Sequence, residues 1–541
     1  MASLVGLSTS SKPSSLDPAP RDDLYSSEIL SNSTSTTLNQ SMQRDDETAT
    51  HVMAGSSPSV TLNDDEKLPS AHQLHPKSDA LIDWDGPDDP ANPKNWSLGL
   101  RIYHTMLPAL YGFSVSLGTS IYSAGVFAVV EEFHVSLSVS LLGLSLYALG
   151  LALGPVIGAP ISETRGRKAV YIITLPIFLL FTAGAGLSRN IQSFIILRFL
   201  SSTFGSPALA VGAGTVADIW DMEHGGGLAT VLITSTFFLG PSLGPLIGGY
   251  TLETRGDWRW LMWVLLLIAG PIGLVALPSR ETSKKIILAR RARQRGVPGP
   301  PRPPPAAALK MLFVITLVRP LKMLVSEPIV MSWALYHSFV FGVLFAFFES
   351  YPYVFTKVYG FSSGEVGLAF LGIFIGTLLA VLTFGIIDKT VYQKKKVFYA
   401  PAKPPPEERL YTSMLGAFGI PVALFWFGWT ARPDVHFLAP IAAGIPFGWG
   451  VVTLFLGGVT FLLDTYGAMY GASAVAANGL LRYAFGAGFP LFTIQMYEKL
   501  GIAWATSLLA FIGLALLPIP FVLYKFGPSL RARSRMTVHE T

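Results

Sequence analysis

The sequence predicts an all-α polytopic membrane protein with twelve membrane-spanning helices, and three observations support this. Half of the 541 residues are hydrophobic and only 13% are charged, whereas a soluble domain carries about 25% charged residues. The mean hydropathy is +0.47. Apolar runs long enough to span a bilayer recur along the chain. This composition excludes an ordinary cytosolic enzyme and an intrinsically disordered protein.

Residues 1–100 are predicted to form a cytoplasmic, disordered N-terminal tail. The part up to about residue 80 is rich in Ser, Thr, Asp and Pro, and such a segment buries too little apolar surface to offset its ordering entropy. The first 30 residues hold no apolar stretch of the kind found in cleavable signal peptides. We therefore expect the first span to act as its own insertion signal.

Twelve apolar segments follow, and each is long enough to cross about 30 Å of hydrocarbon. A long loop divides them into an N-terminal six-helix bundle at 101–278 and a C-terminal six-helix bundle at 329–524, which is the hydropathy symmetry of proteins built from two repeated bundles. The segments are 103–128, 137–160, 168–188, 191–217, 226–251, 258–278, 329–351, 365–388, 409–430, 436–462, 470–493 and 501–524.

The central loop, residues 279–328, is basic at first and proline-rich afterwards. Lys and Arg are frequent in 284–295, which we interpret as a short helix lying on anionic lipid. Residues 299–305 contain five prolines and predict an extended polyproline linker. A cytoplasmic tail is expected at 525–541.

Lysines and arginines are distributed unevenly between alternate loops. The central loop and the loops on its side contain 24, and the opposite loops contain 6. Because positive residues collect on the cytoplasmic side, we predict a multi-pass protein with both termini cytoplasmic. We expect it to lie in the plasma membrane; a vacuolar or other vesicle membrane is the alternative. The same distribution explains the net charge of +5, so nucleic-acid binding is not indicated.

The loop after the second span combines acidic, basic and glycine residues. Glu163 precedes Gly166 by three residues and Arg167 by four, a spacing that allows a charge relay around a tight turn at the membrane face. The alternative is a short loop whose charges only set topology. Within the second span, glycines at 150, 154 and 158 lie on one helical face and predict close packing against another helix.

Two further segments carry unusual residues inside spans. Arg198 lies in the fourth span, where a charge is costly unless it finds a partner or a cavity. We expect it to face the central cavity of the N-terminal bundle and to be needed for proton coupling; the alternative is an arginine that snorkels to the interface. The fifth span has glycines at 240, 244 and 248 on one face and prolines at 241 and 245. This pattern predicts a helix-packing seam with a hinge.

These three segments together resemble the major facilitator superfamily, and within it the fungal twelve-span drug:proton antiporters (the DHA1 group). The resemblance also rests on DWDGPDDPANPKNW at 83–96, FGSP at 204–207 and FGAGFP at 485–490, and it covers about residues 83–524. Ala159 replaces the usual Gly and Glu163 the usual Asp of the loop motif. We assign transport and gating roles to Arg198, Glu163, Arg167, Gly166, Gly205, Gly240, Gly244, Pro245, Gly248 and Gly249.

Few other ionisable groups occur inside the spans. Glu349 in the seventh span is a candidate proton carrier, or an interfacial residue that ends the span. Asn478 and Arg482 lie one turn apart in the eleventh span and are candidates for contacting substrate or their own bundle. His104 and His337 are interpreted as hydrogen-bonded structural residues rather than proton carriers.

The resemblance implies a proton-coupled efflux transporter for hydrophobic or amphipathic small molecules, whether drugs, toxins or an endogenous fungal secondary metabolite. Its expected partners are the small-molecule substrate, protons and the lipid bilayer, and we expect a monomer. The sequence has no cysteine and no ATP-binding loop, so we expect no metal and no cofactor beyond a proton gradient. Alternatives are a polyamine exporter, an uptake carrier of the same fold and, more remotely, a membrane-embedded lipid-modifying enzyme.

Overall fold

The computed structural model describes residues 83–221, 227–296, 313–534 and 536–537, and all regular secondary structure in them is helical. Most of the predicted disordered tail and the polyproline stretch 299–305 lie outside the described residues. The tail boundary predicted at residue 100 falls inside the first helix, which begins at Leu98.

Eight helices form the described part of the N-terminal half. Gly166 separates the third helix from the fourth, and Pro207 begins the sixth because proline is well accommodated in the first turn of a helix. In chain order they are α1 (Leu98–Ser120), α2 (Val126–Phe133), α3 (Leu137–Arg165), α4 (Arg167–Gly186), α5 (Ile191–Gly205), α6 (Pro207–Ile219), α7 (Gly227–Arg255) and α8 (Arg259–Ala276).

The central loop contributes two described helices, and the C-terminal half contributes nine. The last helix continues to Arg533, so it extends into the predicted C-terminal tail. The helices are α9 (Lys284–Gln294), α10 (Arg319–Ser326), α11 (Pro328–Tyr359), α12 (Ser363–Ala369), α13 (Leu371–Ile387), α14 (Gln393–Tyr399), α15 (Tyr411–Gly416), α16 (Gly419–Thr430), α17 (Leu438–Gly488), α18 (Pro490–Leu516) and α19 (Ile519–Arg533).

Eleven helices of the described chain are long and apolar enough to cross a membrane, compared with twelve predicted. The predicted segment 470–493 is the one that does not qualify, and Asn478 and Arg482 lower its hydropathy. Its ends nevertheless lie on opposite sides. At one end the Met469 carbonyl accepts a hydrogen bond from Arg319, which precedes α11. At the other, Tyr497 packs on Tyr353, near the end of α11.

Residues 468–500 therefore run from one side of the bundle to the other, as the twelve-span prediction requires. Two helices are interrupted by a residue whose backbone is not helical, α17 at Gly467 and α18 at Gly501. With 51 residues, α17 is too long for a single crossing. We call the side that contains the α3–α4 turn the loop side. The opposite side, which contains the turns at Gly256 and Gly360, is called the turn side.

The two halves pack against each other at the turn side. The N-terminal end of α12 lies against the last turns of α7, where the Gly364 amide donates to Glu253 Oε2 over 2.9 Å. One hydrophobic cluster contains buried residues of both halves, among them Tyr122 and Trp258 from the first half and Phe348 and Phe370 from the second. The structure is thus closed between its halves on this side.

The basic run of the central loop forms α9, and this helix binds an acidic segment of the same chain. Arg291 donates two hydrogen bonds to the Asp89 carboxylate, at 2.5 and 3.0 Å, and Arg295 donates two to Asp85, at 2.9 and 2.6 Å. We call this arrangement of residues 83–96 on α9 the acidic clasp. Two of the arginines expected to contact lipid headgroups, Arg291 and Arg295, are thus paired within the protein.

Candidate functional site

Arg198 lies in the interior of the N-terminal half with 1% of its surface exposed. Its Nε donates to the Gly143 carbonyl and one Nη to the Gly118 carbonyl, each over 2.9 Å. The guanidinium carbon lies 4.7 Å from the ring centre of Tyr122 and 4.5 Å from that of Tyr147. Carbonyl oxygens and aromatic faces both stabilise a cation, so this charge is satisfied without a carboxylate.

This geometry corrects the expectation that Arg198 faces a central cavity. The side chain connects α1, α3 and α5 inside one bundle and does not snorkel to the interface either. Its ligands are backbone carbonyls and rings, and none of its hydrogen bonds in the described part of the chain goes to an acid. A role for Arg198 in proton coupling remains a prediction that these contacts do not favour.

Gly166 holds the tight turn at the loop side, where φ is 99°. Its missing side chain leaves room for Glu281, whose Oε1 accepts from the Arg167 amide over 2.8 Å. Arg167 reaches Asp218 with its Nε at 3.2 Å and also contacts the Ser162 hydroxyl. The turn between α3 and α4 is thereby tied to the end of α6 and to the start of the central loop.

Glu163, the acid that sequence spacing suggested as part of a relay with Arg167, lies elsewhere. Its side chain is 53% exposed and is 3.6 Å from Lys285 of α9. The carboxylates near Arg167 are Asp218 and Glu281, which sequence reasoning missed. In the sequence, Asp218 near the end of a span and Glu281 just beyond one could have indicated partners for Arg167, but nothing in their spacing distinguishes them from other acids.

A similar charge cluster lies at the loop side of the C-terminal half. Arg409 Nε lies 2.8 Å from Asp464 and its Nη1 lies 3.5 Å from Asp388. The guanidinium carbon is 3.5 Å from the centre of the Tyr392 ring. In the described part of the chain, each half therefore has its own arginine–carboxylate cluster at this side.

The glycines of the fifth span form the predicted packing seam. A Cβ added at Gly240 would lie 2.7 Å from the Leu117 amide nitrogen, and one at Gly244 would lie 2.8 Å from that of Ile121. A Cβ at Gly248 would lie 2.5 Å from the Ile121 carbonyl oxygen. All three distances are shorter than normal van der Waals contact, so the backbones of α7 and α1 approach as closely as the small residues permit.

Other glycines complete the close packing of the first half. Gly150, Gly154 and Gly158 of α3 lie against residues 199–207 of the fourth span. Gly205 faces Phe178 and Val115, and a Cβ there would lie 2.9 Å from a carbon of each. These positions build the interior of the N-terminal bundle.

Gly249 and Pro245 lie on a different face of α7, where the two halves meet. A Cβ at Gly249 would clash with the Ser363 carbonyl of α12. On the opposite surface, a Cβ at Gly367 would lie 2.6 Å from the Pro245 carbonyl oxygen. We call this contact between α7 and α12 the turn-side seal. Sequence reasoning missed its partner residues in the second half.

Glu349 is 2% exposed and lies on α11 among the aromatic residues of the cluster that both halves share. Its Oε1 has no hydrogen-bond partner in the described part of the chain. It is therefore not an interfacial residue that ends the span, because α11 continues to Tyr359. Burial without a partner disfavours the charged form of a carboxyl group.

Asn478 bonds within its own bundle. Its Nδ2 lies 2.9 Å from His337 Nδ1, and His337 Nε2 lies 3.1 Å from the Leu454 carbonyl oxygen. This pattern fits a neutral imidazole that accepts at one nitrogen and donates at the other. His104 is bonded in the same way, to the Leu100 carbonyl and the Arg280 amide.

Arg482 contrasts with its neighbour Asn478, because its Nε is buried and has no hydrogen-bond partner in the described residues. Three aromatic rings surround the guanidinium carbon, those of Phe341 and Tyr483 at 4.6 Å and that of Phe455 at 4.8 Å. The side chain as a whole is partly exposed. Its donors are therefore available to another group.

Residues 109–487 match the family described as Major Facilitator Superfamily. Polyamine transporter 4 of Saccharomyces cerevisiae is 41% identical, over 84% of this chain and 73% of its own length. The ascochitine biosynthesis cluster MFS transporter of Didymella fabae is 38% identical, over 85% and 90%. Efflux pump radE of Floropilus chiversii is 36% identical, over 85% and 86%.

Among solved structures, the proton:xylose symporter XylE bound to 6-bromo-6-deoxy-D-glucose superposes with a TM-score of 0.58 at 16% identity, covering 80% of this chain and 96% of that one. This likeness confirms the predicted fold. The match of the family over most of the span region sets aside the lipid-modifying enzyme. The chain belongs to the major facilitator superfamily of membrane transporters.

Proposed function

We propose that this protein exports small organic molecules across the plasma membrane in exchange for protons. The observation that carries the proposal is Glu349, a buried carboxyl group whose Oε1 has no hydrogen-bond partner in the described part of the chain. It lies on α11, whose aromatic residues belong to the cluster that both halves share. Two of the similar proteins support the direction and the kind of cargo, since one is named as an efflux pump and another as a biosynthesis cluster transporter.

The positive-inside rule assigns the loop side to the cytoplasm, so the turn-side seal closes the protein to the exterior. Transport then requires the seal between α7 and α12 to open while the loop side closes, with the two bundles moving as bodies. At Gly249 and Gly367 the backbones of α7 and α12 contact each other directly. Such a contact can open and close repeatedly, because few side chains have to rearrange.

Glu349 would couple this movement to protons. While the seal is closed, the carboxyl group is dry and its neutral form is favoured. Opening of the seal would expose it to external water, where it can exchange its proton. A carboxyl group that alternates between these environments links proton entry to the return of the empty transporter.

Transport into proteoliposomes under an imposed pH gradient tests the proposal. We would measure accumulation of rhodamine 6G, 2-naphthoate and spermidine by wild type, Glu349→Gln and, as a control, Glu131→Gln, which changes an exposed glutamate outside the seal. We expect gradient-driven accumulation of at least one probe, lost only in Glu349→Gln, while exchange without a gradient persists. Gradient dependence that survives in Glu349→Gln would exclude this residue as the carrier.

A polyamine exporter is the second candidate, because one relative at 41% identity is named as a polyamine transporter. A polycation is best held by several carboxylates. The charged residues that we propose to act in transport are instead one acid, Glu349, and one cation, Arg482. We therefore rank polyamine export second. Accumulation of spermidine but of neither aromatic probe would reverse the order.

Three further points belong to the same proposal. The protein acts in the plasma membrane with both termini in the cytoplasm, and it acts as a monomer. Its native cargo is a fungal secondary metabolite, whose export protects the producing cell. Fluorescence microscopy of a tagged protein and light scattering of the purified protein test location and oligomeric state; vacuolar fluorescence would change the assigned membrane.

A further inference from the structure

Arg482 is a positive charge inside a membrane span with nothing in the described chain to neutralise it. Its guanidinium carries five N–H donors, and its Nε has no partner although the atom is buried. An unpaired charge at such a depth is costly and usually marks a functional group. The aromatic faces at 4.6–4.8 Å stabilise the cation, but they accept no hydrogen bonds in the plane of the guanidinium.

The position of the side chain also matters, because its surrounding rings reach the other half of the protein. Phe455 packs on Phe238 of α7 with ring centres 5.0 Å apart, and Tyr483 packs against the hydrophobic cluster of the N-terminal half. Arg482 is thus located between the bundles, where a transported molecule must pass. Asn478, one turn away, is already engaged by His337.

We infer that Arg482 binds an acidic group of the cargo, a carboxylate, phenolate or enolate, while Phe341, Phe455 and Tyr483 pack on a planar aromatic body. A planar guanidinium presents paired donors that match the two oxygens of a carboxylate. The cargo anion would replace the missing counter-charge. This inference rests on the proposed export function and names its substrate class as planar organic anions.

Three probes that share one ring system and differ in charge test the inference. They are 2-naphthoate, 2-naphthamide and 2-naphthylmethylammonium, which are anionic, neutral and cationic at pH 7. We would measure their binding to the detergent-purified full chain by calorimetry. Wild type should bind 2-naphthoate about tenfold or more tightly than 2-naphthamide, as a charge-assisted hydrogen bond provides, and should bind the cation most weakly.

Three variants distinguish a role of the Arg482 charge in binding from a role of its side chain in packing. Arg482→Gln should lose the preference for 2-naphthoate, about a tenfold loss of affinity, and keep its affinity for 2-naphthamide. Arg482→Lys should retain part of the preference, since it keeps charge but loses the planar pair of donors. Arg432→Gln, a change of an exposed arginine at the turn side, should bind like wild type.

Equal affinity for the three probes in wild type, or no binding of any of them, would overturn the inference. An equal loss of all three in Arg482→Gln, with the protein still monodisperse, would overturn it too, because it would assign Arg482 a structural role. Gradient-driven transport of rhodamine 6G or spermidine alone would leave the export proposal standing and remove the anion site. Failure of every probe to move under a gradient would count against export itself.

Discussion

Arg198 and Arg482 are both arginines inside membrane spans, and three aromatic rings surround each guanidinium. They differ in the hydrogen-bond partners of their N–H groups. Arg198 is 1% exposed and donates to two backbone carbonyls of its own bundle, whereas Arg482 is partly exposed and its Nε has no partner. A cation of the first kind holds helices together. A cation of the second kind can donate hydrogen bonds to a group that is not part of the described protein, such as an acidic group of the cargo.

The same contrast extends to the two halves. Among the described residues, several buried polar atoms without a hydrogen-bond partner lie on one helix, α11, including Trp333 Nε1, Ser338 Oγ, Glu349 Oε1 and Tyr351 Oη. Unpaired buried polar groups lower stability and are retained where function needs them. Among its described residues, the N-terminal half has fewer such atoms, Arg101 Nε and Ser145 Oγ. It is therefore the more completely paired half, while α11 and Arg482 carry most of the groups that could bind a proton or a ligand.

The largest expected effect is a difference in protein stability between substitutions of the two arginines. Arg198→Ala removes a packed side chain that bonds to backbone carbonyls of α1 and α3, and it should lower the free energy of unfolding by about 3–5 kcal/mol. Arg482→Ala should change it by about 1 kcal/mol or less, since it also removes an unpaired charge. Thermal unfolding of the detergent-purified proteins measures both, and equal losses would contradict the comparison.

The second effect separates packing inside a half from packing between halves. Gly244→Leu should force α7 away from α1 and abolish transport while membrane insertion is kept, at a cost of about 1–3 kcal/mol. Gly249→Leu should leave the first half intact and instead prevent the turn-side seal from closing. Transport assays, together with thermal unfolding, distinguish a damaged bundle from a blocked seal.

The seal can be monitored directly because the chain has no native cysteine. Glu253 Oε2 and Ser362 Oγ lie 3.3 Å apart across it. Because a cysteine side chain is shorter than that of glutamate, the pair Glu253→Cys and Ser362→Cys should be cross-linked by a short bifunctional thiol reagent rather than by direct oxidation. We expect Gly249→Leu to suppress the cross-link. An undiminished cross-link in Gly249→Leu would show that this glycine is not needed for closure.

Sequence reasoning predicted the helices and the close seams because both depend on local patterns. Apolar length predicts a span, and glycines spaced by four predict a smooth helical face. It failed where partners are distant along the chain. Arg167 pairs with Asp218, 51 residues away, whereas nearness in sequence suggested Glu163. Likewise, two arginines in apolar spans look alike until the structure shows that carbonyls are available to only one of them.

A smaller effect compares the charge clusters at the loop side. Arg409→Gln removes the ion-pair partner of two acids, Asp388 and Asp464. Arg167→Gln removes that of Asp218 alone, because Glu281 keeps its hydrogen bonds from backbone amides. All these groups are partly exposed, so each change should cost about 1 kcal/mol, with Arg409→Gln the larger. Thermal unfolding at low and at high salt measures both, and a larger loss for Arg167→Gln would reverse the ranking.

The smallest effect concerns the acidic clasp, in which charged residues before the first span pair with α9. The hydrogen bonds from Arg291 hold the pKa of Asp89 well below its ordinary range. A carboxyl group with a lowered pKa in the folded state stabilises that state above its unfolded pKa of about 3.9, and the contribution disappears only as the pH falls through the lowered value. The clasp should therefore be equally firm from pH 6 to 8.

Limited trypsin digestion over that pH range tests this, because α9 contains Arg291 and Arg293 as cleavage sites. We expect Asp89→Asn to raise the rate of cleavage in α9 about threefold at every pH. Asp88→Asn is the matched control, since this neighbouring acid is exposed and should leave the rate unchanged. Equal rates in both variants would mean that α9 is held by Leu288, which is buried, rather than by its arginines. The clasp would then be an ordinary surface ion pair of little energetic weight.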